Sequence, residues 1–356
     1  MDDNNNKIKI NMLSMADSVD GQGVGSAYLE LMKLLNEDGK NDFEIFLNKG
    51  TKYDIIHAHT VEPRNYLKLK FSKNPTVAYV HFLPDTLDGS IKLPKPIFKI
   101  FKKYVISFYK SADYLVVVNP IFKKDIAKAG IKEDKITYIP NFVSKEMFYK
   151  KTDKEIKDIR KKLCIKENKF VVLGAGQIQN RKGVIDFVEV AKKLPKIDFI
   201  WAGGFSFGGI TDGHHDLKKI MENPPKNVKF LGIVPRNEMN DLFNASDLLF
   251  VPSYNELFPM TILEAISTDT PILLRDLELY EDILFKKYLK GSNNDEFSEI
   301  IKLLSKDKKE YQKQVENAKE ISKFYSKEHV YKMWKEFYTE IAKKKKKEKK
   351  KRKKSE

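Results

Sequence analysis

Glu256 and Glu264 stand eight positions apart in Ser253-Tyr-Asn-Glu-Leu-Phe-Pro-Met-Thr-Ile-Leu-Glu-Ala265. The apolar run 248–251, ended by Pro252, reads as a buried parallel strand, and 261–267 reads as the helix that follows. Glu256 then occupies the loop at a strand's carboxyl end, where open α/β sheets bind nucleotides. The first backbone N–H groups of the helix have no intrahelical partner and suit an anion. A carboxylate beside an anion suits hydroxyls, which sugars and ribose supply. The same two glutamates also fit a plainer role, complementing a helix dipole at the surface, and the pair alone does not choose.

A second constellation lies in Gly174-Ala-Gly-Gln-Ile-Gln-Asn-Arg-Lys-Gly183, which joins a strand near 170–176 to a helix starting near 184. Arg181 and Lys182 are the cations nearest that turn. An Arg/Lys clamp in a water-poor site neutralises a departing diphosphate without a metal; a solvated basic pair is the alternative. No Asp-x-Asp occurs in the chain, so metal-independent chemistry is expected. Gly21-Gln-Gly-Val-Gly25 sits at the first strand-to-helix turn, but Ser26 departs from the G-x-G-x-x-G fingerprint. Gly23 and Gly25 allow close approach of backbone to phosphate, or simply a tight turn. His57 and His59 alternate on a candidate strand, so one is expected to face the site and the other to pack. No histidine has a cysteine or carboxylate set at metal-site spacing.

These residues need a scaffold, and 356 residues that are 41% apolar suffice for two α/β domains. Candidate strands at 7–13, 55–58, 77–81, 114–118 and 136–139 form one parallel series, and 170–176, 198–204, 228–232, 248–251 and 271–274 a second. The expected division is into two domains, 1–155 and 156–325. A helix at 326–342 with Tyr331, Trp334, Phe337, Tyr338 and Ile341 on one side should pack on the body. The segment 343–354 holds eleven basic residues and one acid, so it carries +10 of the net +16. It reads, with 355–356, as a disordered polycation. Neither a signal peptide nor a membrane span is visible, and one cysteine, Cys164, suits a reducing compartment. The expected location is cytoplasmic, peripheral on the inner face of the cell membrane. The segment 94–110 supports that placement: Ile97, Phe98, Phe101, Tyr104, Val105 and Phe108 share a helix face flanked by Lys99, Lys102, Lys103 and Lys110. Phe98, Lys99, Phe101, Lys102, Lys103 and Phe108 are the candidate membrane contacts, although ordinary core helices carry a similar face.

Taken together, these motifs resemble those of retaining GT-B glycosyltransferases of family 4, over nearly the whole chain up to about Ala342. The E-x7-E pair matches Glu256 and Glu264, the diphosphate clamp matches Arg181 and Lys182, and the N-terminal glycine loop matches Gly23 and Gly25. Asp54-Ile-Ile-His-Ala-His59, Val80-His81 and Ile139-Pro-Asn141 are similar to further family motifs. Gln177 departs from the usual Gly-Arg, which would place more of the clamp on Arg181, and Phe142 stands where glycine is frequent. Longer blocks, such as Trp-Ala-Gly-Gly-Phe-Ser-Phe-Gly208 and Pro-Ser-Tyr-Asn-Glu-Leu-Phe-Pro-Met260, look like the bacterial diacylglycerol and glycosyl-diacylglycerol glycosyltransferases.

The resemblance implies an α/β, GT-B architecture of two doubly wound Rossmann-like domains facing a cleft. It implies UDP-glucose or UDP-galactose as donor and diacylglycerol or monoglycosyl-diacylglycerol as acceptor, with retention and no metal or other cofactor. Glu264 would hold the ribose, Glu256 and His81 the transferred sugar, and Arg181 and Lys182 the diphosphate, together with the helix start at Phe258, Pro259 and Met260. An anionic membrane surface is the expected partner and no specific nucleic acid is expected. Other readings keep the fold with a soluble sugar or polysaccharide acceptor, or make the chain an inactive basic membrane- or nucleic-acid-binding protein.

Overall fold

Short runs of β-branched and aromatic residues, separated by amphipathic segments, fold here into two six-stranded parallel sheets. The computed structural model describes residues 7–15, 23–49, 52–83, 94–205, 214–256 and 258–355. Asp20, Gly21 and Gln22 of the glycine loop, Ser206, Phe207 and Gly208, and Leu257 lie outside the described residues.

The first unit comprises Met1–Asp85, Leu93–Phe142 and Ser326–Glu356. Along it run β1 (Ile8–Leu13), α1 (Gly23–Glu37), β2 (Phe43–Leu47), β3 (Ile55–Ala58), α2 (Pro63–Lys70), β4 (Thr76–Val80), α3 (Lys95–Lys110), β5 (Tyr114–Val117), α4 (Phe122–Lys128) and β6 (Ile136–Tyr138). The sheet order is β2-β1-β3-β4-β5-β6, every neighbour parallel. β3 and β4 are buried along their whole length, as strands covered on both faces must be.

The second unit comprises, among the described residues, those within Val143–Tyr325. It contains α5 (Asp153–Lys162), β7 (Val171–Ala175), α6 (Val184–Lys193), β8 (Asp198–Ala202), α7 (His214–Glu222), β9 (Val228–Phe230), α8 (Arg236–Ala245), β10 (Leu248–Val251), α9 (Met260–Ser267), β11 (Ile272–Arg275), α10 (Leu279–Ile283), β12 (Leu289–Gly291), α11 (Asn294–Leu304) and α12 (Lys308–Phe324). Its order, β12-β11-β10-β7-β8-β9, is again all parallel. α13 (Lys327–Ser355) returns to the first unit, where Trp334 and Tyr338 are buried.

Three expectations change. The chain passes between units at 142/143 rather than 155/156, and the last helix belongs with the first unit. The basic segment expected to be disordered continues α13 as far as Ser355. Lysine is a good helix former, and extending a helix already anchored by packed aromatics needs no new nucleus; Lys344 also pairs with Glu340 one turn earlier at 2.6 Å. Finally, β2 and β12 are edge strands absent from the sequence reading. β12 is three residues long and only partly buried, too short to show a period.

The core of the second unit sets the shape of the site loop. Trp201 donates through Nε1 to the carbonyl of Gly176 at 3.0 Å, and Gly174 makes room for its ring. A Cβ on Gly174 would lie 2.7 Å from Cζ3 of Trp201 and 2.8 Å from Cε2 of Phe187. Gly174→Ala is therefore expected to destabilise the protein by about 1–3 kcal/mol through overpacking, seen as a lower denaturation midpoint; an unchanged midpoint would contradict this packing.

Candidate active site

In the second sheet the strand order reverses between β7 and β10, which are neighbours, so the loops leaving them lie side by side at a topological switch point. The approach depends on Gly183. It has φ +69°, and a Cβ there would lie 2.8 Å from the carbonyl carbon of Pro252 at the end of β10. The absence of a side chain lets the 3-10 turn Asn180–Lys182 lie against the second loop. Backbone and side chain then stitch the loops together. Tyr254 N donates to Arg181 O at 2.8 Å, and Arg181 Nη1 donates to Asn255 O at 3.2 Å. Arg275 supports the arrangement from behind: its Nε donates to Pro252 O at 2.8 Å, its guanidinium lies 3.8 Å from the Tyr254 ring centroid, and Asp186 receives both Arg275 and the Tyr254 hydroxyl.

The product of this stitching is a partly buried charge cluster around the buried Glu256 carboxylate. Lys182 Nζ donates to Glu256 Oε1, and Arg181 Nη1 stands 4.0 Å from Glu256 Oε2. Burial alone would raise the pKa of Glu256, but Lys182, then Arg181 and a hydrogen bond from Ser253, outweigh it and hold the carboxyl below the usual range. Burial draws the Lys182 pKa down while Glu256 draws it back up. Gln177, standing where an arginine is usual in the resembling family, accepts from Gln179 at 2.8 Å, and Gln179 accepts from Arg181 Nε at 2.9 Å. The departure thus becomes a brace for Arg181. Tyr280, fully buried, has a hydroxyl with no hydrogen-bond partner among the described residues and feels the Glu256 charge.

Glu264 is buried on α9, and Arg236, the first residue of α8, brings its Nε to 3.5 Å from Glu264 Oε1. The guanidinium also lies 5.5 Å from the Phe148 ring centroid. Pro259 caps the start of α9, Met260 begins it, and Phe258 is buried against the ring of Tyr325. Glu256 and Glu264 are thus interior groups with cationic partners, which rules out the plain surface role. Sequence reasoning missed Arg236, Ser253 and Tyr280. Only Ser253 lay inside a motif; Arg236 is a lone cation after a proline, 28 positions from its carboxylate.

His81 belongs to the first unit. His57 and His59 do not diverge as expected: residues two apart on a strand share a face, and their ring centroids are 4.2 Å apart. His57 Nδ1 pairs with the Tyr338 hydroxyl at 2.7 Å and His59 Nδ1 with His81 Nε2 at 3.2 Å. Tyr28 of α1 meets His59, and Tyr79 and Trp334 meet His57. Burial pushes the His59 pKa down to about 3. Burial, then neighbouring histidines, pushes His57 and His81 well below 6.5. Gly23 and Gly25 lie in the first turn of α1 rather than in the loop before it.

The α3 face divides along its length. Phe108 and Val105 are core residues, each about fully buried, so Phe108 is withdrawn from the membrane set; its ring packs near Tyr66 of α2. The amino-terminal half differs, with Ile97 52% and Ile100 68% exposed. Phe98, Phe101 and Lys102 are half-buried, Lys99 and Lys103 exposed, and Lys102 Nζ lies 4.8 Å from the Phe98 ring centroid.

Two stability measurements follow. Lys182→Met leaves the Glu256 carboxylate buried beside a more distant Arg181 and should cost about 3–5 kcal/mol, most of it recovered in Lys182→Met/Glu256→Leu; strictly additive losses in the double variant would contradict a coupled pair. The three histidines are neutral when folded and take a proton near pH 6.5 when unfolded, so their contribution is complete above pH 6.5 and is lost as pH falls, for His59 toward about 3. Unfolding free energy should therefore fall between pH 6.5 and 5 with a limiting slope of roughly 4 kcal/mol per pH unit, three protons at about 1.4 each. A flat profile there would contradict the neutral cluster.

The family model described as "Glycosyl transferases group 1" matches residues 155–321, and "Glycosyltransferase Family 4" matches residues 40–146. The alpha-galactosylglucosyldiacylglycerol synthase of Streptococcus pneumoniae is 47% identical over 334 residues, covering 93% of this chain and 89% of that protein. The processive diacylglycerol alpha-glucosyltransferase of Acholeplasma laidlawii is 29% identical over 324 residues, 90% and 94% of the two chains. Among solved structures, Anabaena HepE in complex with UDP and glucose aligns at TM-score 0.72 and 17% identity, over 93% of this chain and 99% of that one, a likeness of fold. With two parallel Rossmann-like sheets and a relative this similar along its length, the chain belongs to the family-4 glycosyltransferases of GT-B fold.

Proposed function

We propose that this enzyme transfers glucose or galactose, with retention of configuration, from a UDP-sugar to diacylglycerol or monoglycosyl-diacylglycerol, making an α-linked membrane glycolipid. The name of the Streptococcus pneumoniae relative favours α-galactosylglucosyl-diacylglycerol as the product. The observation that carries the donor half is the cluster of the partly buried Lys182 and Arg181 around the buried Glu256 at the switch point of the second sheet. Lys182 and Arg181 hold the diphosphate with the start of α9 at Phe258, Pro259 and Met260. Glu264 takes the ribose hydroxyls, and Glu256 and His81 hydroxyls of the transferred sugar. Gly23 and Gly25, at the start of α1, suit an approach of backbone to phosphate.

The bond from sugar C1 to the diphosphate oxygen breaks as the acceptor oxygen bonds C1 from the same face, and the acceptor proton passes to the departing diphosphate. No protein nucleophile is needed, and two cations offset the developing charge in place of a metal. Loss of one such donor is worth roughly 3–4 kcal/mol, so Lys182→Ala should lower turnover by about two to three orders of magnitude.

Membrane residence is proposed from α3 and the end of α13. Ile97 and Ile100 are exposed apolar side chains beside the exposed Lys99 and Lys103, a composition suited to an anionic interface. No helix among the described residues is long and apolar enough to cross a membrane. These residues and the proposed lipid acceptor support a peripheral position on the cytoplasmic face.

Purified protein incubated with labelled UDP-glucose or UDP-galactose, EDTA, and mixed micelles of anionic lipid with either acceptor should yield a labelled α-linked lipid. Protein that binds UDP yet labels no lipid in any combination would move the acceptor to a soluble sugar. Activity appearing only with a divalent cation would overturn metal independence. Ile97→Asp/Ile100→Asp should weaken sedimentation with anionic liposomes while leaving UDP binding unchanged; full sedimentation would remove α3 from the membrane contact.

A further inference from the structure

The function just proposed uses only His81 of three neighbouring histidines, of which His57 and His59 are buried. Their hydrogen bonds leave a specific pattern of unmet atoms. His59 Nδ1 is 3.2 Å from His81 Nε2, whereas His59 Nε2 is buried with no hydrogen-bond partner among the described residues, and so is His57 Nε2. A neutral imidazole carries one proton, so the two ends of the His59–His81 contact must be one donor and one acceptor. If His59 carried its proton on Nε2, that N–H would be buried without an acceptor. Orphaned buried N–H groups are rarer than under-used acceptors. With the proton on Nδ1, His59 donates to His81 Nε2 and leaves only a lone pair unmet. The His81 proton is then forced onto Nδ1. No group among the described residues bonds His81 Nδ1, and the residue is half-buried, so this N–H remains available.

We infer that His59 is a positioning residue that fixes His81 as its Nδ1–H tautomer, so that His81 presents a hydrogen-bond donor to an oxygen of the substrate sugar. The inference rests on the reading of His81 as a sugar contact. Which ring nitrogen is protonated is set by the bond the other nitrogen makes, and here that bond is supplied by the protein before substrate arrives. The surroundings hold the rings in place. Tyr28 packs edge-on to His59 with centroids 5.0 Å apart, Tyr79 lies against both His59 and His81, and His57 is tied through Tyr338 to α13. Low basicity of all three rings keeps the arrangement neutral, so His81 offers one N–H rather than two.

The direct test is the ring nitrogen spectrum of full-length protein carrying 15N-labelled histidine, with His81 assigned by the signals lost in His81→Gln. A protonated Nδ1 and bare Nε2 on His81 at neutral pH is the expected pattern; a protonated Nε2 overturns the inference outright. Kinetics give a second readout. His59→Asn places an amide donor near the Nδ1 position and should keep most of kcat, whereas His59→Leu should lower kcat about a hundredfold and free the His81 tautomer in the spectrum. Equal kcat in folded His59→Leu and wild-type protein overturns the positioning role. An Nδ1–H spectrum with full activity in His81→Gln would instead refute the sugar contact and leave the tautomer assignment standing.

Discussion

The site depends on one close approach, the backbone of Gly183 against the carbonyl of Pro252. A side chain at that position would push the loop after β7 away from the loop after β10, and the left-handed φ of +69° would strain it as well. With no Cβ there, Tyr254 N reaches Arg181 O, Arg181 reaches Asn255 O, and Lys182 reaches Glu256. A buried ion pair is a poor way to gain stability, because desolvation offsets most of the attraction. Its value lies in what it poises: cations largely shielded from water beside a buried carboxylate, on neighbouring loops at a topological switch point.

Behind those loops the support is apolar on one side and cationic on the other. Trp201 holds the Gly176 carbonyl and fits only because Gly174 is bare. Arg275 holds Pro252, stacks on Tyr254 and pairs with Asp186. The first unit uses a different device. α13 belongs to it and lays Trp334 and Tyr338 against His57 of β3, and Trp334 also against Tyr79, whose ring meets His81.

Local patterns carried most of this information. The E-x7-E segment and the Arg181-Lys182-Gly183 turn were legible because short apolar strands announce where loops begin, and glycine marks where backbone must pass closely. What was hidden is long-range. Arg236 meets Glu264 from another helix, Tyr280 joins the cluster from α10, and neither leaves a local signature. Phe108 is a core residue although an amphipathic helix looks alike whether its face meets a core or a lipid; only packing shows that α3 is buried at Val105 and Phe108 and exposed at Ile97 and Ile100. The lysine-rich end was read by charge alone, yet helix extension from a packed aromatic segment decided its conformation. His57 and His59 share one face because a spacing of two on a strand keeps both side chains on the same side.

The central claim is that Lys182, paired with Glu256, is the cation that receives the donor diphosphate without help from a metal. Calorimetric titration of UDP into the wild-type enzyme and Lys182→Met, both in EDTA, tests it most directly. Binding by the wild type and at least roughly tenfold weaker binding by the variant, about 1.4 kcal/mol, is the result the account predicts. UDP binding equally well to both proteins, or to the wild type only after a divalent cation is restored, would contradict it.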